Sequence, residues 1–255
     1  MPRHGNDGET VAAEQAQGIS TIVLKAHEGS TVERAALAGE NVYGGIVLNS
    51  PVGGANPDAV EVAARLGGRV VWMPTVSSPN HQASSRSPEL AVHSHVTLRA
   101  VGVVEDGRLR AEWYDVLDAV AHHDLLLGSG HLSVEETVVV FTEARKRGVE
   151  RLLVNHPKMA FMHWADPLGP ELRRLGAHLE LGILPDLLTD PPDASLSLVG
   201  HYPNELLVFG ADLGHADHPA PAEIVPGWLR KLERHAGAKA AAAITTGNSR
   251  QLLAR

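Results

Sequence analysis

Residues 124–136, Asp-Leu-Leu-Leu-Gly-Ser-Gly-His-Leu-Ser-Val-Glu-Glu, join an apolar run to a glycine turn, a histidine and a helix start. The run is short and almost entirely apolar, which is typical of a strand buried on both faces of a parallel sheet. Ser133, with Glu136 three residues later, forms the pattern of a capping box at a helix N-terminus. This stretch therefore predicts one strand–loop–helix unit whose histidine lies just after the strand.

The same kind of unit recurs along the chain. Seven short apolar runs are each followed closely by Gly, Pro or Asn, and most of their starts lie 24 to 28 residues apart. That spacing accommodates one strand, one helix and two loops, so it favours a parallel sheet with helices packed outside it. The seven predicted strands are Thr21–Leu24, Gly45–Leu48, Arg69–Met73, Asp124–Leu127, Arg151–Val154, His178–Leu181 and Leu206–Phe209.

The chain has 255 residues, a length that suits one (β/α)8 barrel of the TIM type, so we expect a single α/β domain over residues 1–255. Only a predicted helix over residues 8–17 precedes the first predicted strand, and we therefore expect a barrel whose first strand is missing, with seven βα units. The spacing is broken once, which predicts a long loop excursion at about residues 76–112. Inside it, Asp106-Gly107 predicts the turn of a hairpin.

The composition excludes several classes of function. Lys and Arg number 22 against 30 Asp and Glu, a formal net charge of −8, and the longest basic cluster is Arg145-Lys146-Arg147, so nucleic acid is not an expected partner. The absence of cysteine excludes disulfides and thiolate metal ligands. No apolar run approaches the roughly 20 residues that cross a bilayer, and the N-terminus lacks the apolar core of a signal peptide. We therefore expect no membrane partner and a cytoplasmic protein.

Metal-ligating side chains follow three of the predicted strands. His131, His156 and Asp212 come just after separate apolar runs, and the active sites of such barrels lie at the carboxyl ends of the strands. A single histidine at a strand end is more often structural, but three potential ligands at one barrel mouth favour a metal site. Imidazole and carboxylate suit a divalent cation, with zinc as the first expectation and manganese or iron as alternatives.

Lys25 has two interpretations. It could act in catalysis by pairing with a substrate carboxylate or, if carbamylated, by bridging two metals, or it could form a salt bridge with Glu28 or Asp212. Other polar residues at the predicted mouth are expected to contact a small-molecule substrate. These substrate-binding candidates are His27, Asn49, Thr75, His81 and His215.

Taken together, these segments resemble an uncharacterised branch of the amidohydrolase superfamily. The resemblance covers nearly the whole chain and implies a (β/α)8 metal-dependent hydrolase. One difference is that this sequence lacks the first strand, which in that superfamily carries a His-x-His pair of metal ligands. His93-Ser94-His95 has the same spacing, but it lies in the loop excursion, so we do not assign it this role. The segments are 22–28 (IVLKAHE), 44–49 (GGIVLN), 71–75 (VWMPT), 130–136 (GHLSVEE), 155–157 (NHP) and 210–214 (GADLG).

The resemblance also implies roles for individual residues. His131, His156 and Asp212 would be metal ligands, and Asp212 would in addition shuttle the proton of a metal-activated water. The expected reaction is hydrolysis of a small-molecule amide, ester, thioester or lactone. There are two alternatives: a metal-dependent lyase or decarboxylase, and a truncated barrel that binds a ligand without turnover. A homo-oligomer is compatible with all of these functions.

Overall fold

The computed structural model describes residues 7–84, 98–164, 168–188, 193–213 and 219–254. Short strands and amphipathic helices alternate through most of these ranges. The strands are β1 (Ile22–Val23), β2 (Val42–Tyr43), β3 (Gly45–Val47), β4 (Val70–Trp72), β5 (Val104–Glu105), β6 (Arg108–Leu109), β7 (Leu126–Gly128), β8 (Arg151–Val154), β9 (His178–Gly182) and β10 (Leu207–Gly210). The helices are α1 (Asp7–Gln15), α2 (Val32–Ala38), α3 (Pro57–Arg65), α4 (Pro79–Ala83), α5 (Tyr114–His122), α6 (Val134–Lys146), α7 (Leu168–Arg174), α8 (Ile183–Leu188), α9 (Pro221–Ala236), α10 (Ala238–Ala242) and α11 (Asn248–Leu253).

Six strands form one parallel sheet in the order β3-β4-β7-β8-β9-β10. Each predicted apolar run overlaps one of these strands, except the first, which contains β1. The sheet is buried on both faces. On one face, Val71, Leu127 and Leu152 pack with the helices. On the other face, Val70 and Trp72, the residues on either side of Val71 in β4, belong to a second apolar cluster.

The first predicted strand pairs differently from the expected arrangement. β1 pairs in parallel with β2, a strand that was not predicted, rather than directly with the six-stranded sheet. Gly44 separates β2 from β3 because the chain passes very close to the start of α2 there. A Cβ at Gly44 would lie 2.6 Å from the carbonyl oxygen of Thr31, so only glycine fits and the strand pairing is interrupted.

The turn and cap signals of the sequence are confirmed. Asp106 and Gly107 both have positive φ, 49° and 70°, as the two-residue turn between the antiparallel strands β5 and β6 requires. At α6, the Ser133 side chain accepts from the Glu136 N–H and the Glu136 carboxylate accepts from the Ser133 N–H. This capping box begins α6 immediately after His131 and Leu132, so it helps to fix the position of the histidine.

The strand pairings leave β1 and β10 facing each other across a gap. Among the described strands, β10 pairs with β9 and β1 pairs with β2, and a cavity runs along both. Val208 on one side and Val23 on the other line it, and Leu252 of α11 lies at the end away from the histidines. Within the described ranges no helix is long and apolar enough to cross a membrane.

Candidate active site

The carboxyl ends of the parallel strands meet around one cavity of about 460 Å³. His131 follows β7, His156 follows β8 and Asp212 follows β10, and all three line this cavity. Lys25 and His27, just beyond β1, line its other wall. The structure therefore brings five of the residues singled out from the sequence to one cavity.

His156 lies between two carboxylates. Its Nε2 is 3.3 Å from Asp212 Oδ2, and its Nδ1 is 3.5 Å from Glu180 Oε2. Both ring nitrogens are buried and neither makes a hydrogen bond of good geometry. His156 and Asp212 also share a left-handed backbone, with φ of 47° and 50°, a conformation that is unfavourable for most residues and often occurs at functional sites.

Glu180 is a functional candidate that the sequence reasoning missed. It lies within β9, and because Leu179 and Leu181 pack on the helix side, strand alternation turns Glu180 into the cavity. Its Oε2 accepts a hydrogen bond of 2.8 Å from Asn155 Nδ2. An acidic residue inside an otherwise apolar run was the available signal, since buried carboxylates are rare unless they are paired or bind a cation.

Gly210 makes the space that the Glu180 side chain occupies. A Cβ at position 210 would lie 1.9 Å from Glu180 Oε1, a distance that no real Cβ contact allows. Gly210 follows Val208, the register partner of Glu180, by two residues, so positions 180, 208 and 210 lie on the same face of the sheet. The glycine that ends β10 therefore determines where the carboxylate beside His156 can lie.

Two further histidines, His81 and His131, contact each other at the same mouth. His81, in α4, stacks on His131 with ring centres 4.8 Å apart, and their Nδ1 atoms are 2.7 Å apart, so one donates to the other. Burial lowers the pKa of His81 to about 4 and lowers that of His131 well below its ordinary value. The positive charge of Lys25 acts in the same direction on both pKa values. Both rings are therefore neutral at pH 7.

The predicted substrate contacts Asn49 and Thr75 are completely buried and are used within the protein. Asn49 Oδ1 accepts from the N–H groups of Thr75 and Ser77, at 2.8 and 3.1 Å. Its Nδ2 donates to the carbonyl oxygen of His27 and to Thr75 Oγ1, at 2.8 and 2.7 Å. Thr75 Oγ1 is in turn 2.8 Å from His27 Nδ1. The remaining candidate, His215, lies outside the described residues, as does the His93-Ser94-His95 triplet.

The donor set fits a divalent metal at His156 and Asp212. An imidazole nitrogen and a carboxylate oxygen that lie 3.3 Å apart without a hydrogen bond of good geometry are ligand types that zinc, manganese and iron accept. His131 turns its Nδ1 toward His81, and its ring centre is 6.1 Å from that of His156. Among the described residues no three His, Asp or Glu side chains are spaced to hold an ion, so His131 as a third ligand stays a prediction.

Glu14 is a further carboxyl in the cavity wall, on α1 and close to the start of β1. It is 7% exposed, and its Oε2 has no hydrogen-bond partner. Burial raises the pKa of Glu14 to about 7. Sequence reasoning missed the burial of Glu14, because a glutamate in a short polar helix normally faces solvent.

Solved structures share this fold at low sequence identity. A Pseudomonas putida protein assigned as a 2-pyrone-4,6-dicarboxylic acid hydrolase is 17% identical, with a TM-score of 0.57 over 96% of this chain and 86% of its own. YjjV, a TatD homolog from Escherichia coli, is 15% identical, with a TM-score of 0.55 over 96% of this chain and 90% of its own. The predicted TIM-barrel-like α/β class is confirmed, and at these identities the likeness shows the fold alone.

In the sequence comparisons, one family model matches the chain. No curated protein matches the chain. The model of a family of unknown function, DUF6282, matches residues 1–180, which is more than two thirds of the sequence and includes the segments after β1, β7 and β8. This chain is therefore a member of the DUF6282 family.

Proposed function

We propose that this protein is a metal-dependent hydrolase that acts on a small-molecule amide, ester, thioester or lactone through a metal-activated water. The observation that supports the proposal most is the environment of His156. A buried imidazole with both nitrogens lacking a good hydrogen bond, set between Glu180 and Asp212, is costly for a protein unless a cation binds there. The cavity beside it has room for a small substrate.

His156 Nε2 and Asp212 would hold the metal, and His131 would complete the set. A bound divalent cation lowers the pKa of a coordinated water to about 7 and so supplies a nucleophile at neutral pH. Asp212 lies at the cavity surface, with a third of its side chain exposed, where it can accept a proton from the attacking water and return it to the leaving group. Glu180, deeper in the wall, orients the His156 ring from the Nδ1 side.

The opposite wall would bind the substrate. Lys25 and His27 line the cavity across from Glu180 and Asp212. The Lys25 ammonium is the positive charge near the neutral pair His81 and His131, so it favours an electron-rich substrate oxygen at this side. With the two sides combined, the scissile carbonyl carbon would face Asp212 while a substrate oxygen faces Lys25.

The proposal is tested by metal content together with turnover. Protein purified without chelator, then reconstituted with Zn²⁺, Mn²⁺ or Fe²⁺ and desalted, should hold well above about one-tenth equivalent of metal by elemental analysis. The loaded protein should hydrolyse at least one member of a panel of aryl esters, thioesters, lactones and cyclic amides, and chelation should abolish this activity. Metal content at background after reconstitution would overturn the proposal. Release of CO₂ from carboxylic acids without hydrolysis would replace it with the lyase alternative.

A further inference from the structure

The hydrogen bonds from Asn49 to His27 have only one consistent direction. The N–H groups of Thr75 and Ser77 can only donate, so the atom of Asn49 that faces them is Oδ1 and acts as acceptor. The other end of the amide is then Nδ2, which donates to the carbonyl oxygen of His27 and to Thr75 Oγ1. Because a backbone carbonyl can only accept, this contact confirms the orientation of the Asn49 amide.

The same direction continues through the threonine hydroxyl. Thr75 Oγ1 accepts from Asn49 Nδ2, and its own proton needs an acceptor because the residue is completely buried. Within the part of the chain that the structure describes, His27 Nδ1 is the acceptor within reach of that hydroxyl, at 2.8 Å. If Nδ1 carried a proton instead, the buried hydroxyl would lose its only acceptor there.

We infer that the Asn49–Thr75 relay holds His27 as the neutral tautomer that is protonated on Nε2. With Nδ1 turned to the buried threonine, Nε2–H is the donor on the opposite side of a ring that lines the cavity next to Lys25. His27 then presents a fixed donor to an sp² oxygen of the substrate, either carbonyl or carboxylate. Asn49 and Thr75 are positioning residues that act through His27. This inference rests on the proposed function for the identity of the ligand but not for the tautomer.

The tautomer is testable by ¹⁵N NMR of metal-free protein with labelled histidines at pH 8, with the His27 signals assigned by their loss in His27→Phe. We expect a protonated Nε2 and an unprotonated Nδ1. Thr75→Val, which keeps the shape and removes the hydroxyl, should give a mixture of tautomers, and Thr75→Ser should restore the single form. Thr137→Val is the matched control, because Thr137 is also fully buried but bonds within α6. A wild-type His27 protonated on Nδ1 would overturn the inference without needing any variant.

The donor role is tested with two simple probes, benzoate for a carboxylate oxygen and benzamide for a carbonyl oxygen. At least one should shift the Nε2–H signal of His27, and the probe that shifts it more identifies the oxygen type. Binding of that probe should weaken about fivefold in Thr75→Val, the effect of about one hydrogen bond, and should stay unchanged in Thr137→Val. If neither probe shifts the signal, His27 is not the donor. Because these measurements use no metal and no turnover, they stand apart from the test of the hydrolase proposal.

Discussion

The cavity mouth holds two histidine environments that differ in charge. On the β4–β7 side, the buried rings of His81 and His131 stack on each other, and the Lys25 ammonium lowers the pKa of both. On the β8–β10 side, His156 lies between Glu180 and Asp212. Histidine is therefore kept neutral in the His81–His131 pair, whereas His156 is placed between negative charges.

This difference shows how two sides of one barrel mouth can favour different ligands. A carboxylate-lined imidazole favours a cation, whereas a buried neutral pair beside an ammonium favours an electron-rich or anionic group. The His131 and His156 ring centres are only 6.1 Å apart, so a small substrate is long enough to reach both sides. Such an arrangement would orient an ester or lactone with its acyl carbon toward Asp212.

The largest effect is expected from removing the charge on the carboxylate side. Asp212→Asn keeps the volume of the side chain and removes the proton acceptor, so turnover should fall by about 100-fold to 10,000-fold, the range of general acid–base catalysis. Unfolding of the metal-free variant should occur at the same temperature as the wild type or higher. Asp106→Asn is the matched control, because Asp106 has the same left-handed backbone in an exposed turn. A wild-type rate in folded Asp212→Asn would remove Asp212 from the mechanism.

Glu180→Gln should lower the affinity for metal without abolishing metal binding. The variant keeps the side-chain shape but loses the charge that faces His156 Nδ1, and loss of such an outer partner typically lowers metal affinity by about 10-fold to 100-fold. Titration of apo-protein with Zn²⁺ in competition with a chelator gives the affinity. Glu40→Gln, an exposed substitution, should leave it unchanged. Equal affinities in all three proteins would make Glu180 a purely structural residue.

The neutral state of the His81–His131 pair is tested by measuring stability at low pH. His81 has a pKa of about 4 in the folded protein and about 6.5 when unfolded, so the unfolded chain binds more protons between these values. Its contribution is fully present above pH 6.5 and is lost as the pH falls toward 4. His81→Asn should remove about 3 kcal/mol of this acid-dependent difference in the free energy of unfolding. Urea unfolding at several pH values measures it, and the exposed His122→Asn serves as control. Parallel pH profiles for wild type and His81→Asn would contradict a buried neutral pair.

The smallest effect concerns the fit between Gly210 and Glu180. Gly210→Ala should destabilise the protein by about 1–2 kcal/mol, because the new methyl overlaps Glu180 Oε1 and must displace it. In a Glu180→Ala background the same substitution should cost about 1 kcal/mol less, since the overlapping atoms are gone. A double-mutant cycle from denaturant unfolding measures the coupling. Additive effects would show that Gly210 is required for another reason.

Much of the fold could be predicted because the repeat is periodic, and the exceptions have local causes. The turn at Asp106-Gly107 and the cap at Ser133 depend on neighbouring residues, so the sequence shows them directly. The separation of β2 from β3 depends on how close the start of α2 comes to Gly44, a tertiary contact that no sequence pattern reports.

The candidate site was predictable where its residues follow strands and unpredictable where they meet across loops. His131, His156 and Asp212 stand at strand ends, so topology alone brings them to one mouth. The contact of His81 with His131 requires the path of the segment that carries α4, and Glu180 is hidden within a strand that reads as apolar. Neither could be derived from spacing.

Folding changes the number of protons that this protein carries, because Glu14 and His81 respond in opposite directions. Glu14, with a folded pKa of about 7, takes up a proton on folding between pH 4.5 and 7, whereas His81 gives one up between pH 4 and 6.5. Near pH 5.5 the two exchanges nearly compensate. Toward pH 7 the release by His81 becomes smaller while Glu14 still takes up part of a proton, and the stability that Glu14 contributes declines as the pH rises through 7. The enthalpy of unfolding measured by calorimetry at pH 6.8 should therefore depend on the ionisation enthalpy of the buffer, and Glu14→Gln should shift the slope of that dependence by the fraction of a proton that Glu14 takes up on folding.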